Sequence, residues 1–521
     1  MAKTNKSIAV FFIFTAIIAL ALFLRLFNLG ITPPGVFVDE AYNGLDAYQA
    51  ATTNNYQWFY SANNGREGLF INFIAILFKL FGASVITLRL PAVIAGALTI
   101  VGIYLLTKEL LQKRRPALIA AFLFSASFWA IDFNRISFRA NLLPLVLVFS
   151  FYLLFKGLRQ NKKILLALSG AMFGLGLHTY IAFRIAPLII IILALPLIFT
   201  KKYPIKQLSK YFAIFLVSAL ITALPLIIIF INHPELWSER TSSLSLFAQA
   251  TSPIRFISIF IINSVKSLFQ FNIWGDQNWR HNYPPLPILD FITCILFLGG
   301  VIISLKTCIN SLKKFSQTKK LPEEAIVSTF LISWLLIMLL PEILTVGEVP
   351  HALRSIGTMP AVFIFAAMFF DWFLTRMESL SNKTTVITAI AILILSLIGI
   401  SNITRYYIWS NKSETAQAFN KITFDAADYI KETQRTDKKV IIGDDKSIIP
   451  LKFLLREQQS ITYWDTTNIS TPPQIANGDL IIFVNTDKSI VSAFRPAAEG
   501  LKLLDEKTTS YGQYQVFKMT N

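Results

Sequence analysis

Apolar runs of close to twenty residues recur along most of this 521-residue chain and constrain its fold more than any other feature. A helix of that length is what the hydrocarbon core of a bilayer requires. Charged residues make up only 15% of the sequence, whereas soluble domains carry about a quarter. We therefore predict a polytopic α-helical membrane protein with about eleven transmembrane helices. The predicted spans are residues 8–27, 87–106, 116–131, 142–158, 164–177, 185–199, 211–231, 288–305, 325–340, 356–373 and 386–403.

Basic residues between the predicted spans indicate an orientation. Short loops rich in Lys and Arg, such as 108–115, 201–210 and 306–320, all fall on one side of the predicted bundle. The positive-inside rule makes that side cytoplasmic. The N-terminus then lies in the cytoplasm, below a plasma or inner membrane, and the C-terminal segment lies outside the cell membrane. The first apolar run has no small-residue cleavage site, so we expect a retained anchor.

The composition changes near residue 405, which predicts two domains. Residues 1–404 form the membrane domain, with long outer loops at about 28–85 and 232–287, and an apolar stretch at 69–81 that is too short to span. Residues 405–521 are predicted to form a small extracytoplasmic α/β domain. Its helices are expected at 415–433 and 449–456, and its buried strands at 440–443, 461–464 and 480–484.

The charge distribution argues against nucleic acid as a partner. The segment from Arg405 onward carries 15 Lys and Arg against 14 Asp and Glu, so nearly all of the formal charge of +18 belongs to the membrane part. There it follows the positive-inside rule, and membrane lipids are the expected contacts. Cys294 and Cys308 suggest neither a disulfide framework nor a zinc cluster. Carboxylate binding of one Mg²⁺ or Mn²⁺ ion stays open.

Two adjacent carboxylates, Asp39 and Glu40, follow the first span directly. Pro33 and Pro34 cannot continue a helix, so the chain must break there before it enters a short helix. Neighbouring helix positions point about 100° apart, so one carboxylate can act on a substrate while the other orients it. The alternative is a capping and dipole pair without chemistry. The motif alone leaves these two interpretations at even odds.

Unusual cations also gather at the outer ends of the spans, where the positive-inside rule does not explain them. Cations there require an anionic partner, and paired Arg nitrogens suit phosphate geometry. A carboxylate facing such cations could deprotonate an attacking hydroxyl while they stabilise a departing phosphate. The polar residues that share this placement are Asp39, Glu40, Arg66, Glu67, Asp132, Arg135, Arg139, His178, Arg184, His351 and Arg354.

Structural explanations compete with these roles. Arg135 and Arg139 lie one helical turn apart near Asp132, so an ion-pair group is at least as well supported as substrate binding. His178, at a span end, is typical of a hydrogen-bonded interfacial residue. His351 and Arg354, three positions apart after Pro350, slightly favour anion binding.

Several motifs resemble the bacterial branch of the protein-mannosyltransferase and aminoarabinose-transferase-like glycosyltransferases, which have the membrane-embedded GT-C fold and are similar to glycosyltransferase family 39. Their order and spacing carry the resemblance, which covers residues 8–403. Gly68 stands where close relatives would be expected to have proline. The motifs are Val38-Asp39-Glu40-Ala41-Tyr42-Asn43, Asn63-Asn64-Gly65-Arg66-Glu67, Leu88-Arg89-Leu90-Pro91-Ala92, His178-Thr179-Tyr180 through Arg184, and Pro350-His351-Ala352-Leu353-Arg354-Ser355-Ile356-Gly357.

The resemblance implies a polyprenyl-phosphate-linked sugar as donor, transferred with inversion on the outer face of the membrane. It makes Asp39 the expected base, with Glu40 as its neighbour. The expected ligands of the lipid phosphate are Arg66, Arg139, His351 and Arg354. A second set is expected to contact substrate: Glu67, Asp132, Arg135, His178, Tyr180 and Arg184. The acceptor, whether protein, lipid or glycan, cannot be read from the sequence.

Three alternatives remain at this stage. A transporter or flippase for lipid-linked glycans would favour broken helices and polar groups near mid-membrane, but here the charges lie at the outer boundary. A glycan ligase or polymerase would place its Arg-rich site in a late outer loop, without a carboxylate pair in the first. An anchor for the outer domain would not require so many outer cations.

Overall fold

The computed structural model describes residues 2–237, 245–381, 383–432, 438–467, 475–486, 490–491 and 501–520. The first helices are α1 (Ala2–Leu26), α2 (Val38–Thr53), α3 (Gly68–Phe81), α4 (Val85–Leu111), α5 (Arg114–Ala126), α6 (Phe128–Phe133), α7 (Leu142–Gln160), α8 (Lys163–Leu175), α9 (Pro187–Phe199) and α10 (Ile205–Asn232). The later helices are α11 (Leu246–Gln249), α12 (Pro253–Phe269), α13 (Phe291–Thr318), α14 (Glu324–Ile343), α15 (Met359–Leu380), α16 (Thr384–Ser410), α17 (Ser413–Ala418), α18 (Lys421–Glu432) and α19 (Asp445–Leu454).

The chain is a polytopic helical membrane protein. Within the described residues, nine helical segments are long and apolar enough to cross a membrane. Two expected spans, 116–131 and 164–177, are shorter helices, since α5 ends at Ala126 before a break at Ser127 and α8 ends at Leu175. The total of eleven therefore stays a prediction. The nine segments are Ser7–Leu26, Val85–Leu111, Arg139–Gln160, Ile181–Phe199, Ile205–Asn232, Phe291–Thr318, Glu324–Ile343, Ile356–Leu380 and Thr384–Ser410.

Ion pairs join segments that the sequence places on the same side of the bundle. Arg115 donates from Nε to the Asp371 carboxylate at 2.6 Å, and Lys113 reaches the same carboxylate at 3.2 Å. Lys202 pairs with Glu323 at 2.5 Å. The exposed Lys202–Glu323 pair adds little stability, whereas the Asp371 side chain is only 7% exposed. Each pair brings a loop from an early pair of helices beside a late helix.

The chain divides into two compact units. The first contains Met1–Phe27, Gln57–Phe70 and Leu90–Tyr406, and the second contains Asn28–Tyr56, Ile71–Arg89 and Tyr407–Asn521. Two stretches of the predicted first loop thus cluster with the C-terminal residues.

The first two strands, β1 (Phe59–Tyr60) and β2 (Arg66–Glu67), belong to the first unit. The second unit holds a five-stranded sheet of β3 (Lys439–Gly443), β4 (Ile461–Asp465), β5 (Leu480–Val484), β6 (Leu501–Thr509) and β7 (Gly512–Met519). The strand order is β4-β3-β5-β7-β6. Strands β4, β3 and β5 run parallel, and β7 and β6 extend the sheet as an antiparallel hairpin. The sheet core contains Val440, Ile442, Ile481, Phe483 and Phe517. The predicted small α/β domain is confirmed.

The α2 helix is also part of the second unit, where it packs on α19. A side chain at Gly44 would place its Cβ 2.6 Å from the Phe453 ring, so the absence of one lets the two helices approach closely. Phe78 stacks on the same ring at 6.2 Å between centroids. Arg456 covers Tyr48, with its guanidinium carbon 5.5 Å from the ring centre. These contacts hold the start of α2, which carries the adjacent carboxylates, on a folded support.

Candidate active site

Glu40 forms a buried ion pair inside the second unit. Arg89 donates from Nε to Oε1 at 3.0 Å and from Nη2 to Oε2 at 3.1 Å. Neither side chain is exposed. This two-pronged geometry suits the planar guanidinium. Breaking a buried ion pair leaves an unpaired charge away from water, which is costly. The Glu40–Arg89 pair therefore fixes the position of the first turn of α2.

Arg89 also fixes the turn that precedes α2. Its Nη1 donates to the carbonyl oxygens of Leu29 at 3.1 Å and Pro33 at 2.9 Å, and its Nη2 donates to Gly35 at 2.7 Å. Gly35 has a φ of +82°, and a Cβ there would lie 2.3 Å from the Phe419 carbonyl oxygen. The proline-containing turn is therefore held by one guanidinium and requires glycine at this position.

Asp39 differs from its neighbour in exposure. It is half-buried in the first turn of α2, whereas Glu40 is fully buried. Glu40 also accepts a hydrogen bond from the Phe37 backbone N–H at 3.3 Å. Glu40 therefore caps the start of α2, and the two adjacent carboxylates lie in different environments, as expected for neighbouring helix positions. Asp39 sits where the helix dipole favours negative charge.

The motif Arg66-Glu67 lies in the first unit, on a two-stranded ribbon of β1 (Phe59–Tyr60) and β2 (Arg66–Glu67). Both side chains are buried, and Arg66 donates from Nε to the Ala62 carbonyl oxygen at 3.1 Å. Glu67 accepts from Arg139 Nε at 2.6 Å. The Arg139 guanidinium also lies 5.6 Å from the centre of the Tyr180 ring. Three predicted residues, Glu67, Arg139 and Tyr180, are thus brought together.

Gly68 ends this ribbon and begins α3. Its N–H donates to the Trp58 carbonyl oxygen at 2.8 Å, a bond that proline could not make. A Cβ at Gly68 would lie 2.0 Å from the Gln57 carbonyl oxygen. Glycine therefore allows the two backbone segments to approach closely at this position.

Other predicted residues make contacts typical of packing. Arg135 donates to the carbonyl oxygens of Leu24 at 2.6 Å and Phe27 at 2.7 Å, at the C-terminal end of α1. Asp132 is fully buried nearby in sequence, on α6. Carbonyls at a helix C-terminus attract cations, which accounts for these two contacts of Arg135. The expected ion-pair group and the expected substrate contact both stay predictions.

His178 and Arg184 lie on neighbouring 3₁₀ turns. His178 Nε2 is 2.9 Å from the Thr222 carbonyl oxygen and its ring packs against Trp58. Arg184 donates to the Trp237 carbonyl oxygen at 2.7 Å, and its guanidinium stacks over that indole ring at 3.7 Å. His178 thus has the hydrogen-bonded environment that its position predicts.

His351 and Arg354 lie on the loop between α14 and α15, where Glu342 organises the backbone. The Glu342 carboxylate accepts from the His351 N–H at 3.0 Å and from Gln270 Nε2 at 2.9 Å. The Arg354 N–H donates to the His351 carbonyl oxygen at 3.0 Å, and its Nη1 donates to Thr345 Oγ1 at 2.7 Å. The two side chains therefore belong to one tightly hydrogen-bonded turn.

The sequence analysis missed two residues that contact this turn. Asp276 and His281 lie on the loop between α12 and α13, and Asp276 Oδ2 is 2.9 Å from His281 Nδ1. Asp276 Oδ2 also accepts from the Ala352 N–H at 2.8 Å. The rings of His281 and His351 lie 4.7 Å apart. All four histidines follow predicted spans that end on the same predicted side, so this signal alone does not single out His281.

Burial and mutual charge set the protonation of this cluster. Burial would raise the pKa of the Asp276 carboxyl, but the neighbouring His281 imidazole holds that pKa below its ordinary value. Burial, together with the neighbouring His281 imidazole, lowers the pKa of His351 well below its ordinary value. His351 is therefore neutral at pH 7, so it can offer a nitrogen lone pair.

The chain is similar to known glycosyltransferases in sequence and in fold. Residues 69–229 match the family described as dolichyl-phosphate-mannose-protein mannosyltransferase, a region that includes Arg139 and His178 but not Asp39. A search of curated proteins gave no match. The match and the structural similarities below confirm the resemblance that the motifs indicate.

Two solved proteins illustrate the shared fold. ArnT from Cupriavidus metallidurans bound to undecaprenyl phosphate superposes with a TM-score of 0.56 at 11% identity, over 96% of this chain and 97% of that one. Its apo state gives the same TM-score over 99% and 98%. The archaeal oligosaccharyltransferase AglB from Archaeoglobus fulgidus, in complex with an inhibitory peptide and a dolichol-phosphate, gives 0.52 at 15% identity, over 86% of this chain and 64% of that one. The chain therefore has the GT-C fold.

Proposed function

We propose that this chain transfers a sugar from a polyprenyl-phosphate-linked donor to an acceptor hydroxyl on the outer face of the membrane, with inversion. The observation that carries the proposal is the similarity over almost the whole chain to ArnT, whose structure holds undecaprenyl phosphate. AglB, the second neighbour, holds dolichol-phosphate. Both are lipids that end in a phosphate on a polyprenyl chain, which supports a donor of this class.

The division of labour between the adjacent carboxylates supports Asp39 as the base. Both carboxylate oxygens of Glu40 accept hydrogen bonds from Arg89 or the start of α2, and the side chain is buried, so a substrate hydroxyl has no access to it. Asp39 is only half-buried on the same turn. A base must be reachable by the hydroxyl that it deprotonates. We assign Glu40 the positioning role and Asp39 the proton transfer.

We assign phosphate recognition to the outer arginines, with the neutral His351 ring beside Arg354 able to contribute a hydrogen bond but no charge. Arg354 and His351 share one hydrogen-bonded turn, and Arg66 and Arg139 lie on and against the β1–β2 ribbon. Arg139 shares its charge with Glu67, so this pair can position the guanidinium but also reduces its net attraction for an anion. Arg354, whose Nη1 donates to the neutral Thr345 hydroxyl, is therefore our first candidate for the lipid phosphate.

The reaction requires one bond to form and one to break. The acceptor oxygen bonds to the anomeric carbon from the side opposite the phosphate, and the carbon–oxygen bond to the lipid phosphate breaks. The hydroxyl proton passes to Asp39, and the bonding electron pair leaves with the phosphate, where cations stabilise its charge. No separate general acid is required, because a phosphate is a good leaving group.

Mass spectrometry of membrane lipids tests the proposal. Membranes from cells with the wild-type chain are compared with membranes carrying D39N or the matched control D46N, which alters another aspartate on α2. We expect D39N to accumulate one polyprenyl-phosphate sugar and to lose one decorated acceptor, as cells without the chain do. D46N should match the wild type. Identical lipid profiles in cells with and without the chain would reject the proposed function.

A further inference from the structure

The loops that follow α12 and α14 meet at a compact set of metal-ligating side chains. One ligand atom from each of Asp276, His281 and His351 lies within 4.8 Å of the other two. Two of the four histidines in the chain are in this set. Within the described residues, this is the group of three or more such side chains that could hold a metal ion.

The site is already oriented as metal ligands usually are. The Asp276 carboxylate accepts from the N–H groups of Asn278 and Ala352, both at 2.8 Å. His281 packs against the rings of both Phe133 and Phe138, at 5.7 and 6.0 Å between ring centres. Partners of this kind fix a ligand's direction and exclude water. The Asp276 and His281 side chains are only 1% and 4% exposed.

One ligand atom of the set has no hydrogen-bond partner among the residues that the structure describes. The Nδ1 of His351 is buried and makes no hydrogen bond to any described residue. An unsatisfied buried polar atom costs roughly 1–3 kcal/mol, and a bound cation would remove that cost. Its position beside a buried Asp–His pair therefore points to an electrophile at this place.

We propose that Asp276, His281 and His351 bind one divalent transition-metal ion of the Zn²⁺ class. Two imidazoles and one carboxylate suit this class, whereas Mg²⁺ prefers oxygen ligands in octahedral geometry. Tetrahedral bonds of about 2.0–2.1 Å place ligand atoms roughly 3.4 Å apart. The present ligand atoms lie within 4.8 Å of one another, so metal binding would require them to move closer together.

The ion would join the loop after α12 to the loop after α14. It would fix the turn that carries Arg354, so its role is positional, and His351 would bind the metal instead of the lipid phosphate. A set of three protein ligands keeps one coordination position for an oxygen ligand from outside the chain. The inference does not depend on the proposed sugar transfer.

Metal content of the full-length protein tests the site. The chain, purified in detergent through a tag without histidine, is loaded with Zn²⁺ or Co²⁺, dialysed and measured by inductively coupled plasma mass spectrometry. We expect about one ion per chain in the wild type, and visible absorption typical of tetrahedral Co²⁺. D276N and H351Q should retain at least about tenfold less metal. H233A, which alters an exposed histidine, should retain as much as the wild type.

The variants differ in their risk to folding. D276N removes a carboxylate with several hydrogen bonds, whereas H351Q alters a ring whose Nδ1 makes none to the described residues. Size-exclusion profiles check that each variant is folded. Metal retention by H351Q equal to that of the wild type would overturn the proposal, as would a wild type that retains no Zn²⁺ or Co²⁺. Retention of Mg²⁺ in place of both would overturn the assigned class.

Discussion

At the scale of single residues, Glu40 and Arg89 join a helix start to a turn through an ion pair with no exposed surface. Glu40→Gln would leave the guanidinium buried opposite a neutral group. We expect a loss of about 3–5 kcal/mol in the free energy of unfolding, since removal of one partner strands the other charge. Thermal unfolding in detergent, followed by circular dichroism, measures it.

The matched control is Glu457→Gln, because Glu457 pairs with Arg456 at 3.1 Å while its side chain is 69% exposed. An exposed pair of this kind contributes about 0–1 kcal/mol. If both variants unfold at the wild-type temperature, the Glu40–Arg89 pair does not fix the helix start. Glu40 would then again be a candidate for the proton transfer that we assign to Asp39.

Arg354 is the cation whose role we predict most specifically. Arg354→Ala should raise the KM for the lipid donor by about tenfold or more, since a charge-assisted hydrogen bond to phosphate contributes roughly 1.5–3 kcal/mol. The KM for the acceptor should change little. Steady-state kinetics with each substrate varied in turn measures both constants.

Arg376→Ala provides the control, because Arg376 is an exposed arginine near the other end of α15. It should leave both constants unchanged. An equal increase in the two KM values for Arg354→Ala would remove the assigned phosphate role and indicate a general disturbance of the loop.

The adjacent carboxylates are visible in the sequence, but their environments are not. Arg89 lies 49 positions from Glu40, and no periodicity links them. The same is true of Glu67 and Arg139, which are 72 positions apart. The sequence groups Arg139 with Asp132 by proximity, but the Arg139 side chain pairs with Glu67. Pairs that are far apart in sequence depend on the tertiary fold. The sequence therefore identifies candidate charged residues but does not identify the partner of each one.

At the scale of elements, the β1–β2 ribbon depends on a close backbone approach at Gly68. Gly68→Ala would force its Cβ to within 2.0 Å of the Gln57 carbonyl oxygen. The backbone must then move, so we expect a loss of about 1–3 kcal/mol in the free energy of unfolding and a lower rate of sugar transfer. Thermal unfolding and the lipid assay measure the two effects.

Gly399→Ala is the matched control, since a Cβ on that helical glycine would lie 3.5 Å from the Phe122 ring, an ordinary contact. Alanine there should be neutral or slightly stabilising. Wild-type stability and activity in Gly68→Ala would mean that the ribbon tolerates displacement and does not position Arg66 and Glu67.

Secondary structure was predictable where apolar runs are continuous. The strands β3, β4 and β5 read as buried runs, as parallel strands do, and all three are confirmed. Strands β6 and β7 were not predicted. β6 (Leu501–Thr509) is a half-exposed, charged strand on the edge of the sheet, so it lacks a continuous apolar run. The expected helix over 415–433 is two helices, α17 and α18, interrupted at Phe419 and Asn420.

At the scale of the whole molecule, the distribution of basic loops predicts which face is cytoplasmic. Cysteine labelling can test this, in a background with Cys294 and Cys308 replaced by serine. Glu457→Cys, on the C-terminal segment, should react with a membrane-impermeant maleimide added to intact spheroplasts. Lys314→Cys, in the most basic predicted inner loop, should react only after permeabilisation. The reverse pattern would place the C-terminal domain in the cytoplasm and contradict the proposed outer-face reaction.

The fold class was predictable from composition and span length because the bilayer restricts a chain to few solutions. The Asp276–His281 pair was not, since it lies in a loop whose conformation depends on contacts with His351 and Ala352. Span ends indicate which loops share a face, but they do not determine which side chains meet there.

The most direct test of the account is consumption of the donor by the purified chain. Wild type, D39N and D46N are each reconstituted in vesicles with a polyprenyl-phosphate-sugar fraction extracted from membranes, together with a membrane acceptor extract. Mass spectrometry then follows the release of free polyprenyl phosphate. The account predicts release by wild type and D46N, and a rate at least about 100-fold lower for D39N. Wild-type release by D39N, or movement of the intact donor between leaflets without any release, would contradict it.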